Sequence, residues 1–459
     1  MKEKTQLSKS SLWGYAAFGF GGNCLGGILG SFLTLYLTDN LLLSSGFIAG
    51  LMLAGRISNA ITEFLFGVLI DRVKGKHGAR SWILGTAFLT ALPVFMVFNT
   101  PLGLSELGRK IWVVVSYLMH ISVFGAAISI AYAALLVKIT KDPNTRVKLT
   151  NLNNLLGQVA SLLTSSYGIP ILMYFGGYQK GYFGMTFIFS MAGFIGMFLT
   201  GLLCKEESEE VIEGLEEEKE KLHEANRIVP FKESLSYVFN NKYAFPMIGI
   251  WFFYTFLVMF VGSVTIYFIR DVMGNAGYMT QLSYAKMIPG IVIALIGLVP
   301  MTSARFGKRL TMMGSSICIA AGYLIMLFAP ASLPVVFVGN VLVGIGTAYY
   351  GTLINAVVAD VADYVNRKNN IDVSGTVSSV SHIGMRIGMA LGSVGITVLL
   401  SLGHYDAAAA NAGLAQPASM IMMEKVGYII IPMICGIILA VISGMMDVEK
   451  SIAQLEEKA

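Results

Sequence analysis

Charge is scarce in this sequence. Only 13% of its 459 residues are Asp, Glu, Lys or Arg, against 55% that are hydrophobic, where a soluble chain carries about 25% charged residues. A water-exposed surface for a protein of this length cannot be built from so few charges, so a soluble globular protein is excluded. Cysteine is equally sparse: Cys24, Cys204, Cys318 and Cys435 stand far apart in or beside apolar segments. They form neither a disulfide framework nor a metal-ligand spacing and read as small packing residues. The histidines are scattered without zinc spacing. No P-loop and no hydrolase elbow occur, and Gly344 and Gly346 lie inside an apolar run without the strand–loop–helix setting of a dinucleotide site. These absences argue against an ATP-driven pump and against an enzyme, and no cofactor is expected.

Long apolar runs are what the sequence has, together with fifty glycines and a mean hydropathy of +0.69. A hydrocarbon layer of about 30 Å is crossed by roughly 20 apolar residues in a helix. On that measure the spans are 12–38, 47–70, 81–99, 111–137, 151–174 and 182–203, then 243–269, 279–301, 311–330, 334–358, 376–401 and 421–447. The expected fold is an all-α integral membrane protein of twelve transmembrane helices. Small residues such as Gly22 and Gly26 read as helix-packing positions. Met1 to Ser11 is polar and basic, and the run after it is long enough to be the first span rather than a cleaved signal.

Lys and Arg set the orientation. One side of the membrane receives Lys2, Lys4 and Lys9, then Arg72 to Arg80, then Lys138 to Lys148, then Arg305, Lys308 and Arg309; the other receives Arg109, Lys110, Lys180 and Arg270. Both termini are therefore expected in the cytoplasm, with the chain in the inner membrane, which requires an even number of spans. The net charge of +5 sits in these short loops and does not point to nucleic acid. The one long polar stretch separates spans six and seven, giving halves 1–203 and 243–447, a cytoplasmic linker 204–242 and a tail 448–459. The linker's acidic run Glu206 to Glu210 reads as solvated chain, and Phe231 to Lys242 as an amphipathic helix at the membrane surface. A basic turn after span two (Asp71, Arg72) is matched after span eight by Arg305 to Arg309, the pattern of two six-helix halves.

Ionisable groups inside spans cost about 2.5–3.5 kcal/mol each even on the lenient insertion scale, so they are functional candidates. Arg56, Asn59 and Glu63 on span two are spaced three and four apart and share one helical face. Arg386 on span eleven is a candidate partner for the carboxylate. Asn23, His120 and Ser129 add neutral polar groups, each of which also fits a helix-packing hydrogen bond.

These segments resemble the glycoside–pentoside–hexuronide:cation symporter family, the melibiose-carrier branch of the major facilitator superfamily. The resemblance covers most of the chain. It rests on Arg56-x2-Asn59-x3-Glu63 with Asp71-Arg72, on Tyr132 and Thr140 to Arg146, and on Asp360, Asp363 and Arg386 in that order. It implies a monomeric secondary carrier in membrane lipid, moving a small sugar-like or glycoside-like solute by alternating access with Na+ or H+. It places the cation site at Asn59, Glu63, Ser129 and Arg386, with Na+ at Asn59 and Glu63 as one occupant. Only one of the family's carboxylates is retained there, so an uncoupled facilitator, and a transport-inactive sensor or partner protein, are the competing expectations. It places the solute among Asn23, Arg56, His120, Tyr132, Asn154, Tyr350 and His382, with Tyr349 or Trp251 as further aromatic platforms. Asp71, Arg72, Arg146, Asp360 and Asp363 are implied as the cytoplasmic latch.

Overall fold

The computed structural model describes residues 8–72, 78–140, 143–204, 231–369, 371, 373–412 and 414–456; at a few of these, Asp71 and Arg72 among them, only the backbone is described. No strand occurs among the described residues. The chain divides into two compact units, residues 1–215 and 216–459.

The first unit holds six long helices. Span one is Lys9–Leu35, span two Ser45–Arg72, span three Ala79–Phe98, span five Pro143–Tyr174 and span six Tyr178–Leu203. Span four runs as Glu106–Leu118 and Gly125–Ile139, joined by the π-helical turn Met119–Phe124. The second unit holds six more: span seven Ala244–Tyr267, span eight Tyr278–Ile296, span nine Lys308–Phe328, span ten Leu333–Asn369, span eleven Ser374–Leu402 and span twelve from Ala418–Lys425 into Ile431–Gly444. Eleven of the twelve are long and apolar enough to cross a membrane; the remaining long helix is span two, which carries Arg56, Asn59 and Glu63. The acidic linker, 205–230, lies outside the described residues. Phe231–Phe239 follows it as a short helix with Val238 buried and Glu233 exposed.

Local chemistry sets the boundaries. Ser8 caps span one by accepting from the Ser11 amide, and Ser105 caps span four by accepting from the Gly108 amide at 3.2 Å. Span eight stops at Gly297, whose φ of 72° is the left-handed conformation glycine adopts without steric cost. The short helix Leu298–Phe306 then follows. π-helical turns also end span one (Tyr36–Asn40), end span seven (Phe268–Val272) and interrupt span twelve (Val426–Ile430).

The two units pack alike. In the first, span one lies against spans five and six, span three against four and six, and span two against four. In the second, span seven lies against eleven and twelve, span nine against ten and twelve, and span eight against ten. Each of these five pairs recurs six spans later, so the repeat is much clearer in packing than in sequence. Close packing is made by small residues. A Cβ on Gly21 would come under 3.0 Å from the Gly193 carbonyl oxygen, and one on Gly196 under 3.0 Å from the Gly21 backbone. The expectation for Gly22 and Gly26 is corrected: a Cβ on Gly22 would meet only the tip of Met197, and one on Gly26 nothing within 4 Å. The helix contact lies one register over.

Candidate functional site

Span two has two faces. Leu53, Ile57, Ile61 and Leu65 recur every fourth residue and are exposed, an apolar stripe suited to lipid. Arg56, Asn59 and Glu63 are half-buried and, at 3.6 residues per turn, lie roughly opposite that stripe. The Asn59 amide nitrogen donates to Glu63 Oε1 at 3.1 Å. With the nitrogen so used, the amide oxygen is left to accept from a donor or to bind a cation. One turn away, Arg56 faces Tyr117 of span four, and its Nε is buried without an acceptor among the described residues. The face thus offers a carboxylate, an amide oxygen and a cation within about two turns. Ser58 beside them bonds Ser122 on span four, tying the helix in place. Ser129 is exposed on span four, and Arg386 is exposed on span eleven in the second unit.

The polar groups expected around the solute divide into two kinds. Spans one, four and five converge: Asn23 donates to the Gly19 carbonyl at 2.8 Å and accepts from Ser161 at 3.1 Å. Tyr132 stacks on Phe18, ring centroids 3.7 Å apart, and donates to Asn153 Oδ1 at 2.7 Å. Asn154, next along span five, is exposed. His382 lies against Trp251 with ring centroids 5.4 Å apart, and the Trp251 indole nitrogen is buried without an acceptor among the described residues. Two other residues are turned into packing in this structure. His120 Nδ1 sits 2.8 Å from the Thr90 carbonyl on span three. Tyr350 is fully buried, its hydroxyl 3.1 Å from Ser443 and its ring stacked on Tyr254; Tyr349 beside it is half-buried.

At the helix ends, Asp360 pairs with Lys308 at 2.6 Å, bridging spans ten and nine. Asp363 pairs with Arg367 one turn along its own helix at 2.9 Å. Arg146 donates to the Thr140 carbonyl at 2.9 Å. The side chains of Asp71 and Arg72 lie outside the described residues. The Asp360–Lys308 pair is partly exposed, so Asp360→Asn is expected to cost about 1 kcal/mol or less, measured as a small fall in thermal midpoint in detergent.

Two groups not singled out from sequence emerge here. Lys286 is in the middle of span eight; its signal, a lone charge in an apolar run, was there to be read. Glu424 on span twelve is fully buried, and neither carboxylate oxygen has a hydrogen-bond partner among the described residues. It lies beside Asp271, whose carboxylate is already clamped by Arg270 at 2.6 and 2.8 Å. Arg270 also donates to the Tyr405 hydroxyl at 2.8 Å. Glutamine at 424 adds a donor toward Asp271 and removes an ionisable group. Glu424→Gln is therefore expected to leave stability within about 1 kcal/mol of the wild type or to raise it, read from the same melting curves.

Comparison with known proteins agrees with this architecture. The family model described as MFS/sugar transport protein matches residues 14–449. The chain is 25% identical over 438 residues to the isoprimeverose transporter of Lactiplantibacillus pentosus, covering 94% of this chain and 87% of that one. It is 22% identical over 421 residues to the inner membrane symporter YicJ of Escherichia coli strain K12, covering 90% and 86%. Among solved structures, a D-xylose–proton symporter superposes with a TM-score of 0.61 at 14% identity, covering 95% of each chain. A nucleoside transporter, NupG, superposes with a TM-score of 0.63 at 13% identity, covering 95% of this chain and all of that one. These likenesses carry the major facilitator fold, and the match along nearly the whole length carries the family: this chain is a multi-pass membrane protein that belongs to the MFS/sugar transport protein family.

Proposed function

We propose that this protein is a cation-coupled symporter for a sugar-like or glycoside-like solute, working by alternating access between its two six-helix halves. Family membership supports transport of a sugar-class solute, the isoprimeverose transporter is a relative whose name gives such a solute, and YicJ is a relative named as a symporter. The observation that carries coupling is the Asn59–Glu63 pair on the half-buried face of span two. A carboxylate and an amide oxygen at membrane depth bind a proton or Na+, and a group so costly to place there is kept for a function. The candidate solute groups are Asn23 and Asn154 in the first unit, and His382 with Trp251 as platform in the second. Asp360 with Lys308 belongs to the cytoplasmic latch. The protein acts as a monomer in the inner membrane with both termini in the cytoplasm.

Counterflow in proteoliposomes tests this reading. Vesicles loaded with unlabelled glycoside are expected to take up the same labelled glycoside transiently above equilibrium, with no ion gradient imposed. A broad panel of glycosides showing no exchange would remove the carrier reading and favour a transport-inactive membrane sensor.

A further inference from the structure

Lys286 has no role in the mechanism above, and its surroundings are unusual. Span eight runs from Tyr278 to Ile296, which puts Lys286 about 12 Å from the start of the helix and about 15 Å from its end at 1.5 Å per residue. Both ends are more than two turns away, too far for the ammonium to snorkel into water. Lipid does not explain it either. The exposed apolar stripe of this helix is Ile288, Val292 and Leu295, and Lys286 lies on the opposite face with the buried Leu282 and Ile293. There the backbone is docked tightly on span ten: a Cβ on Gly344 would come under 3.0 Å from the Lys286 carbonyl oxygen. Yet the side chain keeps a partial exposure and has no hydrogen-bond or ion-pair partner among the described residues. Lys286 is thus an inward-facing cation that keeps accessible surface in mid-span.

Charge balance says what that cation is placed to receive. The described acids of spans seven to twelve all lie toward helix ends. Asp271 and Glu424 are at one end, Asp360, Asp363 and Asp447 at the other. Asp360 is about 40 Å along span ten from Leu333, beyond a hydrocarbon layer of about 30 Å. At mid-depth this unit has Lys286 and Arg386 and no described carboxylate. An isolated ammonium at low dielectric is strongly unfavourable unless an anion meets it.

We propose that Lys286 is a solute-binding residue that takes an oxyanion, a carboxylate or sulfonate, on the transported sugar. The preferred solute is then an acidic sugar rather than a neutral one. This inference rests on the proposed carrier function and narrows its substrate class.

The test measures binding by isothermal titration to the purified full-length protein, using matched pairs such as methyl glucuronide against methyl glucoside and galacturonate against galactose. Wild type is expected to bind the acid of at least one pair about tenfold or more tightly than its neutral partner. Lys286→Gln is expected to weaken the acid by about tenfold to a hundredfold and to leave the neutral partner within about twofold. Lys286→Arg, which retains the charge, keeps the preference for the acid and controls for misfolding. A wild type without preference, or a Lys286→Gln variant that still prefers the acid, overturns the assignment while leaving a neutral-sugar carrier intact. If neither member of any pair binds to wild type, the sugar-carrier reading falls, and the anion assignment falls with it.

Discussion

Glu63→Gln is expected to abolish concentrative uptake while leaving exchange intact. Glutamine has the shape of glutamate and still accepts from the Asn59 amide, which lies 3.1 Å from Glu63 Oε1, so the helix face keeps its geometry. What it loses is the charge that binds a cation and the ability to take a proton. A cation moving down a 100 mV potential supplies about 2.3 kcal/mol, enough for roughly fiftyfold accumulation of a solute carried with it. Without a coupling carboxylate that gain falls to none, and solute only equilibrates. Counterflow needs no net ion movement and therefore continues. The two assays run on the same vesicles separate lost coupling from lost folding. Unimpaired accumulation in Glu63→Gln would assign Glu63 to helix packing and move coupling elsewhere.

Gly388→Leu is expected to prevent the second unit from assembling. On span eleven Gly384, Gly388 and Gly392 repeat every fourth residue. A Cβ at each would come under 3.0 Å from the carbonyl oxygens of Ile248, Phe252 and Phe256 on span seven, themselves four apart. The two backbones touch along three turns, close enough for Cα–H to carbonyl contacts. Overpacking a well-filled contact costs about 1–3 kcal/mol, occasionally more. Here the obstacle is backbone that cannot rotate away, so leucine is expected to exceed about 3 kcal/mol and alanine to fall within the usual range. Loss of monodisperse protein on size exclusion, with a lowered melting midpoint for Gly388→Ala, reads the effect. Gly26→Ala, with open space around it, is the control expected to behave as wild type. A Gly388→Leu protein that elutes and melts normally would contradict the packing of spans seven and eleven.

Much of the architecture was legible because the membrane imposes one length on every span. Each of the twelve apolar runs is a helix, and most limits fall within a few residues of expectation; the longer departures have physical causes, span five among them, which begins at Pro143 because its polar first turns are helical. Span ten runs on to Asn369 because its polar end continues as helix past the apolar segment. Span eight ends early because Gly297 turns left-handed. The face formed by Arg56, Asn59 and Glu63 was legible from spacing alone, since residues three and four apart must neighbour one another. Partners on other helices were not. Nothing in the sequence says that His120 turns toward Thr90, or that Tyr350 is sealed against Tyr254 and Ser443, because those contacts depend on which spans adjoin. Glycine register failed for the same reason: Gly21 and Gly22 look alike until the neighbour at Gly193 is known. Lys286 is legible too, as a lone charge in an apolar run.

The most direct test of the account is uptake of labelled glycosides into proteoliposomes with inward Na+ and H+ gradients imposed separately. One of the two ions is expected to drive accumulation of at least one sugar-class solute above its external concentration, and collapsing that gradient is expected to reverse it. Solute that only equilibrates under both gradients, at a rate indifferent to either, would contradict coupled transport and leave an uncoupled facilitator.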